Sequence, residues 1–159
     1  MLTFAHKYLV WCIVILLFFG LSFSLASAES FECTPTPDDS KGPFYKPDAP
    51  VRSSVGEGYI LTGTVKSAKD CSPIPEARIE FWLANPQGDY DDEHRATVFS
   101  GESGSYRFES NFPPKYTFRP PHIHMRISAE GYETLVTQHY PEKGTSRGEF
   151  DLILRPASE

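Results

Sequence analysis

Apolar residues along this chain recur mostly at every second position, in short runs divided by turn-forming residues. In residues 77–84 (ARIEFWLA), Ile79, Phe81 and Leu83 fall on one face of an extended strand and Arg78, Glu80 and Trp82 on the other. Six further runs read as strands: residues 59–66 (YILTGTVK), 96–100 (ATVFS), 105–110 (SYRFES), 122–129 (HIHMRISA), 133–140 (ETLVTQHY) and 149–154 (EFDLIL). Turn clusters such as Asn85-Pro86-Gln87-Gly88, residues 101–104 and Ala129-Glu130-Gly131 lie between them. No stretch sustains a 3.6-residue apolar period long enough for a helix. The pattern predicts an all-β fold: a single antiparallel β-sandwich of about seven to eight strands over residues 58–159.

Two segments precede the sandwich. Residues 1–28 read as a signal peptide, with a weakly basic start at Lys7, an apolar run over 9–21 and an Ala26-Ser27-Ala28 cleavage site. The competing expectation is an uncleaved membrane anchor, since no charge interrupts residues 8–28. Either way the chain is expected to be exported, secreted or periplasmic, and to meet a membrane only if the leader is kept. Residues 29–57 carry Pro35, Pro37, Pro43, Pro47 and Pro50. That density excludes a helix or central strand and predicts an extended arm on a surface.

Charge and cysteines narrow the classes further. The formal net charge is −6, and no lysine–arginine cluster interrupts the acidic balance. Nucleic acid is therefore not an expected partner, because neutralising phosphates needs clustered cations. Of three cysteines, Cys12 lies in the leader. Cys33 and Cys71 remain as an even pair in an exported chain, which favours a disulfide tying the arm to the first hairpin. Neither sits in a C-x-x-C spacing suited to zinc.

Fold and chemistry part company here. The strand and turn pattern is also similar to transthyretin-like sandwiches, which serve as non-catalytic binding modules, so the pattern by itself assigns no activity. The chemistry lies in residues 116–124 (YTFRPPHIH). His122 and His124 are two apart in a strand, so both imidazoles leave the same face and can converge on one metal ion. Tyr90, which ends Gly88-Asp89-Tyr90, and Tyr116 can bring two phenolic oxygens to the same point. Two neutral nitrogens with two anionic oxygens suit iron better than a soft metal. His94, in the acidic 89–95 loop, and His139 are expected to face solvent, and neither is assigned to a metal.

With these residues in place the chain resembles the intradiol ring-cleavage dioxygenases, the group that includes protocatechuate 3,4-dioxygenase and catechol 1,2-dioxygenase. The resemblance covers residues 42–141. It runs from GPFYKPDAP through LTGTV and IEFWLANPQGDY to KYTFRPPHIH and VTQHY. It implies one Fe(III) per chain, held by Tyr90, Tyr116, His122 and His124, with catechol-type aromatics and O₂ as partners and muconate-type diacids as products. It places the active-site arginine on Arg119 and a supporting glutamine on Gln138. Tyr116 becomes the ligand expected to leave iron when substrate arrives, and Pro43 and Tyr45 become candidate substrate contacts beside Arg119. The chain departs from that family in having no helical dimerisation domain of the catechol 1,2-dioxygenase type. Only Thr117 and Phe118 separate Tyr116 from Arg119, a short link that implies an open cavity.

Overall fold

The computed structural model describes residues 31–158; the leader and its cleavage site lie outside them. Eight strands form: β1 (Tyr59–Ser67), β2 (Arg78–Trp82), β3 (Arg95–Phe99), β4 (Ser105–Ser110), β5 (Ile123–Ser128), β6 (Leu135–His139), β7 (Arg147–Glu149) and β8 (Leu152–Leu154). They make two four-stranded sheets. In one, β1 pairs with β4, β7 and β8; the other has the order β3-β2-β5-β6.

The alternation of residue types decides what lies between the sheets. Ile79 and Phe81 of β2, Ile123, Met125 and Ile127 of β5, Leu61 and Val65 of β1, Phe108 of β4, and Leu152 and Leu154 of β8 are all buried in one core. Phe81 and Phe108 stack across it at 4.1 Å between ring centroids. Burying each such side chain is worth about 1.5–3 kcal/mol, so the alternating positions fix which face of each strand turns inward.

The sequence pattern anticipates the all-β sandwich, with two differences. The pairings of β1 with β7 and β8 are parallel, not antiparallel. Residues 149–154 also do not form one strand. Between β7 and β8 the Asp151 carboxylate accepts the Thr64 N–H at 2.9 Å and binds Lys66 Nζ at 2.6 Å, so a side chain replaces a ladder bond. Gly63 lies opposite; a Cβ there would collide with the Phe150 carbonyl.

The proline-rich arm is extended and wraps the sandwich. Cys33 is disulfide-bonded to Cys71. The Thr36 N–H donates to the Ile153 carbonyl of β8, and the Asp39 N–H to the Val136 carbonyl of β6. The chain then crosses the outer face of the β3-β2-β5-β6 sheet to β3, where the Thr97 N–H donates to Pro50 O and the Arg52 N–H to Thr97 O. It finishes on β4, where the Val55 N–H donates to the Glu109 carbonyl. Beneath the arm, Glu80 is buried. Arg126 reaches its carboxylate at 2.8 Å, Arg78 at 3.2 Å, and the Tyr45 hydroxyl donates to it at 3.2 Å. The outer face of β2, polar in its pattern, is therefore a second, covered layer.

Candidate metal centre

One row of side chains crosses the covered outer face. Trp82 of β2 is paired with His124 of β5, which is paired with Gln138 of β6. Because Ile123 and Met125 point into the core, His122 and His124 must both point out. The two rings stand at 77° to each other. Tyr90 reaches them from the loop between β2 and β3.

Three atoms converge. The Tyr90 hydroxyl is 3.1 Å from His122 Nε2 and 3.1 Å from His124 Nε2, and the two nitrogens are 3.2 Å apart. His122 Nδ1 lies 2.7 Å from the Pro120 carbonyl, an oxygen that can only accept. Nδ1 therefore carries the proton, and Nε2 offers its lone pair inward. Burial lowers the pKa of both histidines, His124 to about 3 with help from His122 and Arg119, so both rings are neutral at pH 7.

His124 Nδ1 is buried with no hydrogen-bond partner, so the partners of that ring all lie at Nε2, inside the triangle. The three converging atoms thus have among them only the protons of the phenol and of one imidazole. A metal with bonds of about 2.0–2.2 Å to nitrogen and oxygen holds neighbouring ligand atoms roughly 3 Å apart, which matches the observed spacing. Burial and the nearby Tyr116 push the Tyr90 phenol up to about 12, so a bound cation is what would drive its proton off. No group of three His, Cys, Asp or Glu side chains is placed to hold a metal among the described residues; this donor set depends on a phenol.

Tyr116 lies beside the triangle rather than in it. Its ring meets Tyr90 edge-on at 5.4 Å between centroids. It opens a tight turn in which the Arg119 N–H donates to the Tyr116 carbonyl at 2.9 Å. Thr117 takes a left-handed conformation there (φ 53°), unusual for a β-branched residue, and Phe118 projects fully into solvent at 98% exposure.

The arm supplies the opposite wall. Phe44 stacks on Tyr90 at 4.4 Å with 13° between planes and meets Tyr116 edge-on at 5.6 Å. Gly42, with φ +67°, presses on His124; a Cβ there would lie 3.2 Å from its Cε1. Trp82 stacks on the same imidazole at 4.9 Å and 5°. Tyr45 instead turns to Glu80 and Trp82, and Pro43 is exposed.

Arg119 and Gln138 meet at Tyr140. Arg119 Nη2 donates to the Tyr140 hydroxyl at 3.0 Å. The Gln138 amide N–H donates to the Ser40 carbonyl. The two remaining histidines among the described residues are not solvent-facing as their sequence context suggests. His94 is held by Asp91 at 2.8 Å, with its side chain only 14% exposed, and His139 is half-buried with Nε2 2.6 Å from the Tyr59 hydroxyl. Neither joins the triangle.

No protein-family model matches the chain. The dioxygenase domain of a dioxygenase–carbohydrate-binding fusion from Streptomyces sp. SirexAA-E superposes on it with a TM-score of 0.71. That domain is 30% identical, and the match covers 78% of this chain and all of the domain. A chlorocatechol 1,2-dioxygenase of Cupriavidus pinatubonensis is 30% identical over 138 residues, 65% of this chain and 54% of the relative. The chain belongs to the intradiol ring-cleavage dioxygenases. It spans about half the length of the curated relatives it matches. An intradiol ring-cleavage dioxygenase from Tetranychus urticae shares the fold, with a TM-score of 0.72 at 20% identity.

Four residues at the centre of this family member are not marked by the sequence motifs themselves: Asp39, Phe44, Trp82 and Tyr140. Phe44 and Tyr140 sit inside the motifs GPFY and VTQHY. Trp82 was visible as an outward residue of β2. Asp39 carries no local signal, because its partner Tyr140 is 101 residues away.

Proposed function

We propose that this protein is an exported, ferric-iron-dependent enzyme that opens catechol rings with O₂ to give muconate-type diacids. The Tyr90–His122–His124 triangle carries the reading. Those residues, joined by Tyr116 through its adjacent turn, would hold the metal. Ferric iron there would supply the Lewis acidity that draws electron density from a chelated catechol and makes its ring reactive toward O₂.

The chain's own groups divide the remaining work. Tyr116 Oη takes the proton of a substrate hydroxyl as the catechol enters. Arg119, through its cationic guanidinium, stabilises negative charge developing on the substrate. Phe44 and Trp82 pack against Tyr90 and His124 and hold those rings in place. Substrate class follows from chemistry and kinship: a catechol carries two adjacent phenols and can replace a phenolate ligand. Curated relatives are named as chlorocatechol, hydroxyquinol and catechol 1,2-dioxygenases. Export is supported by the leader pattern and by the Cys33–Cys71 bond, which suits an oxidising compartment.

The deciding experiment loads purified protein with ferric iron. A phenolate-to-iron charge-transfer colour is expected, with one iron per chain and oxygen uptake on a catechol panel. Tyr90→Phe should bleach or shift the colour, and His124→Ala should lose iron and activity together. A colourless chain that retains no iron and consumes no oxygen would return the fold to a transthyretin-like binding role.

A further inference from the structure

The arm does more at this centre than cover it. Asp39 Oδ2 lies 2.7 Å from the Tyr140 hydroxyl, and Gln138 Oε1 lies 3.2 Å from the same oxygen. A phenol has one proton, and both neighbours are acceptors, so the shorter contact to a carboxylate takes it. The Tyr140 oxygen then turns a lone pair to Arg119 Nη2 at 3.0 Å. The result is a directed chain: Arg119 donates to Tyr140, and Tyr140 donates to Asp39. Asp39 is itself fixed by its backbone N–H on the Val136 carbonyl of β6 and by Gln138 Nε2 at 3.4 Å.

The neutral spacer matters. A carboxylate bound directly to a guanidinium engages two of its five donors and neutralises it at close range. No carboxylate lies within ion-pair distance of Arg119 among the described residues, and Tyr140 occupies a single Nη2 donor. The guanidinium is thus aimed by one hydrogen bond while its other donors remain free for an anion. We propose that Asp39, acting through the Tyr140 hydroxyl, positions Arg119 for its work on the substrate. Asp39 and Tyr140 are then positioning residues, and an arm residue sets the geometry of the main cationic group. This rests on the ring-cleavage reading of the site.

The test uses the full iron-loaded chain with Asp39→Asn, Tyr140→Phe and the double variant. Each single variant should lower kcat by about 10–100-fold, the usual scale for removing an orienting hydrogen bond behind a functional group. Iron content and charge-transfer colour should stay at wild-type values. The double variant should be no worse than Tyr140→Phe, because Asp39 acts only through that hydroxyl. Colour controls for a merely structural effect, since an undocked arm would carry Phe44 off Tyr90 and Gly42 off His124. Loss of colour with activity would make Asp39 an arm-docking residue and overturn the proposal. Wild-type kcat in both single variants, or losses that multiply in the double variant, would overturn it too. Arginine side-chain NMR gives a readout independent of turnover. The Arg119 guanidinium should rotate slowly in the wild type and freely in both variants, and unchanged rotation would sink the proposal. A wild type that consumed no oxygen would instead refute the ring-cleavage reading, with the NMR comparison still judging the Asp39–Tyr140–Arg119 chain.

Discussion

Each imidazole of the candidate centre is held from behind by a different device. His122 is fixed by a hydrogen bond to Pro120. His124 is fixed by packing, between Trp82 on one side and the Gly42 backbone near its edge. A third histidine, His139, offers a separate prediction. Burial lowers its pKa to about 4, against about 6.5 in an unfolded chain. Between those values the unfolded chain binds the proton and the folded one does not, so stability falls as pH drops from about 6.5 toward about 4. His139→Gln cannot titrate and keeps a polar partner for Tyr59. In metal-free protein its melting temperature should therefore fall less than that of the wild type between about pH 7.5 and about pH 5. An equal fall in both would show that His139 is not buried in neutral form. The paired histidines were legible because H-x-H on a strand has one geometric outcome. Asp39 was not, because its role depends on a covering segment whose path no local pattern encodes, and Trp82 was not, because its stacking on His124 depends on which strand pairs with β2.

Among the elements, β2 shows how much the alternation could and could not say. Its inward face, Ile79 and Phe81, was readable from period two. Its outward face holds Glu80, a buried carboxylate that reads locally as a solvent-facing charge. Arg78, Arg126 and the Tyr45 hydroxyl compensate it. Glu80→Ala removes a buried carboxylate from Arg78 and Arg126, whose side chains are about one-third exposed; water partly compensates the two guanidinium groups, so chemical denaturation should show a loss of about 1–3 kcal/mol, the scale of losing hydrogen bonds to a charged group. A change under about 1 kcal/mol would place the carboxylate in an effectively exposed setting. The break between β7 and β8 was hidden for a related reason. Asp151 sits in an apolar run that reads as continuous strand, and only the fold reveals that its side chain substitutes for a backbone acceptor.

At the scale of the molecule, the disulfide and the arm act together. Cys33 and Cys71 close a 38-residue separation and anchor the start of the arm, so Cys33→Ser should lower stability by about 2–4 kcal/mol. Thiol labelling of unreduced, denatured protein should find neither cysteine free; two labelled thiols would remove the bond from the account. The sandwich itself was foreseeable from seven alternating runs. The parallel pairing of β1 with β7 and β8 was not, because strand order reflects chain crossings rather than residue type.

The arm's route has a consequence beyond the chemistry. An outer strand with unpaired backbone groups is a template on which another chain can add. This arm places backbone on β8, β6, β3 and β4 in turn, so one stretch of chain occupies four such rims. Its prolines, which lack N–H donors, make it a poor template in its own right. The arm therefore caps these edges against strand addition, and the segment that walls the candidate metal centre also closes four rims of the sandwich.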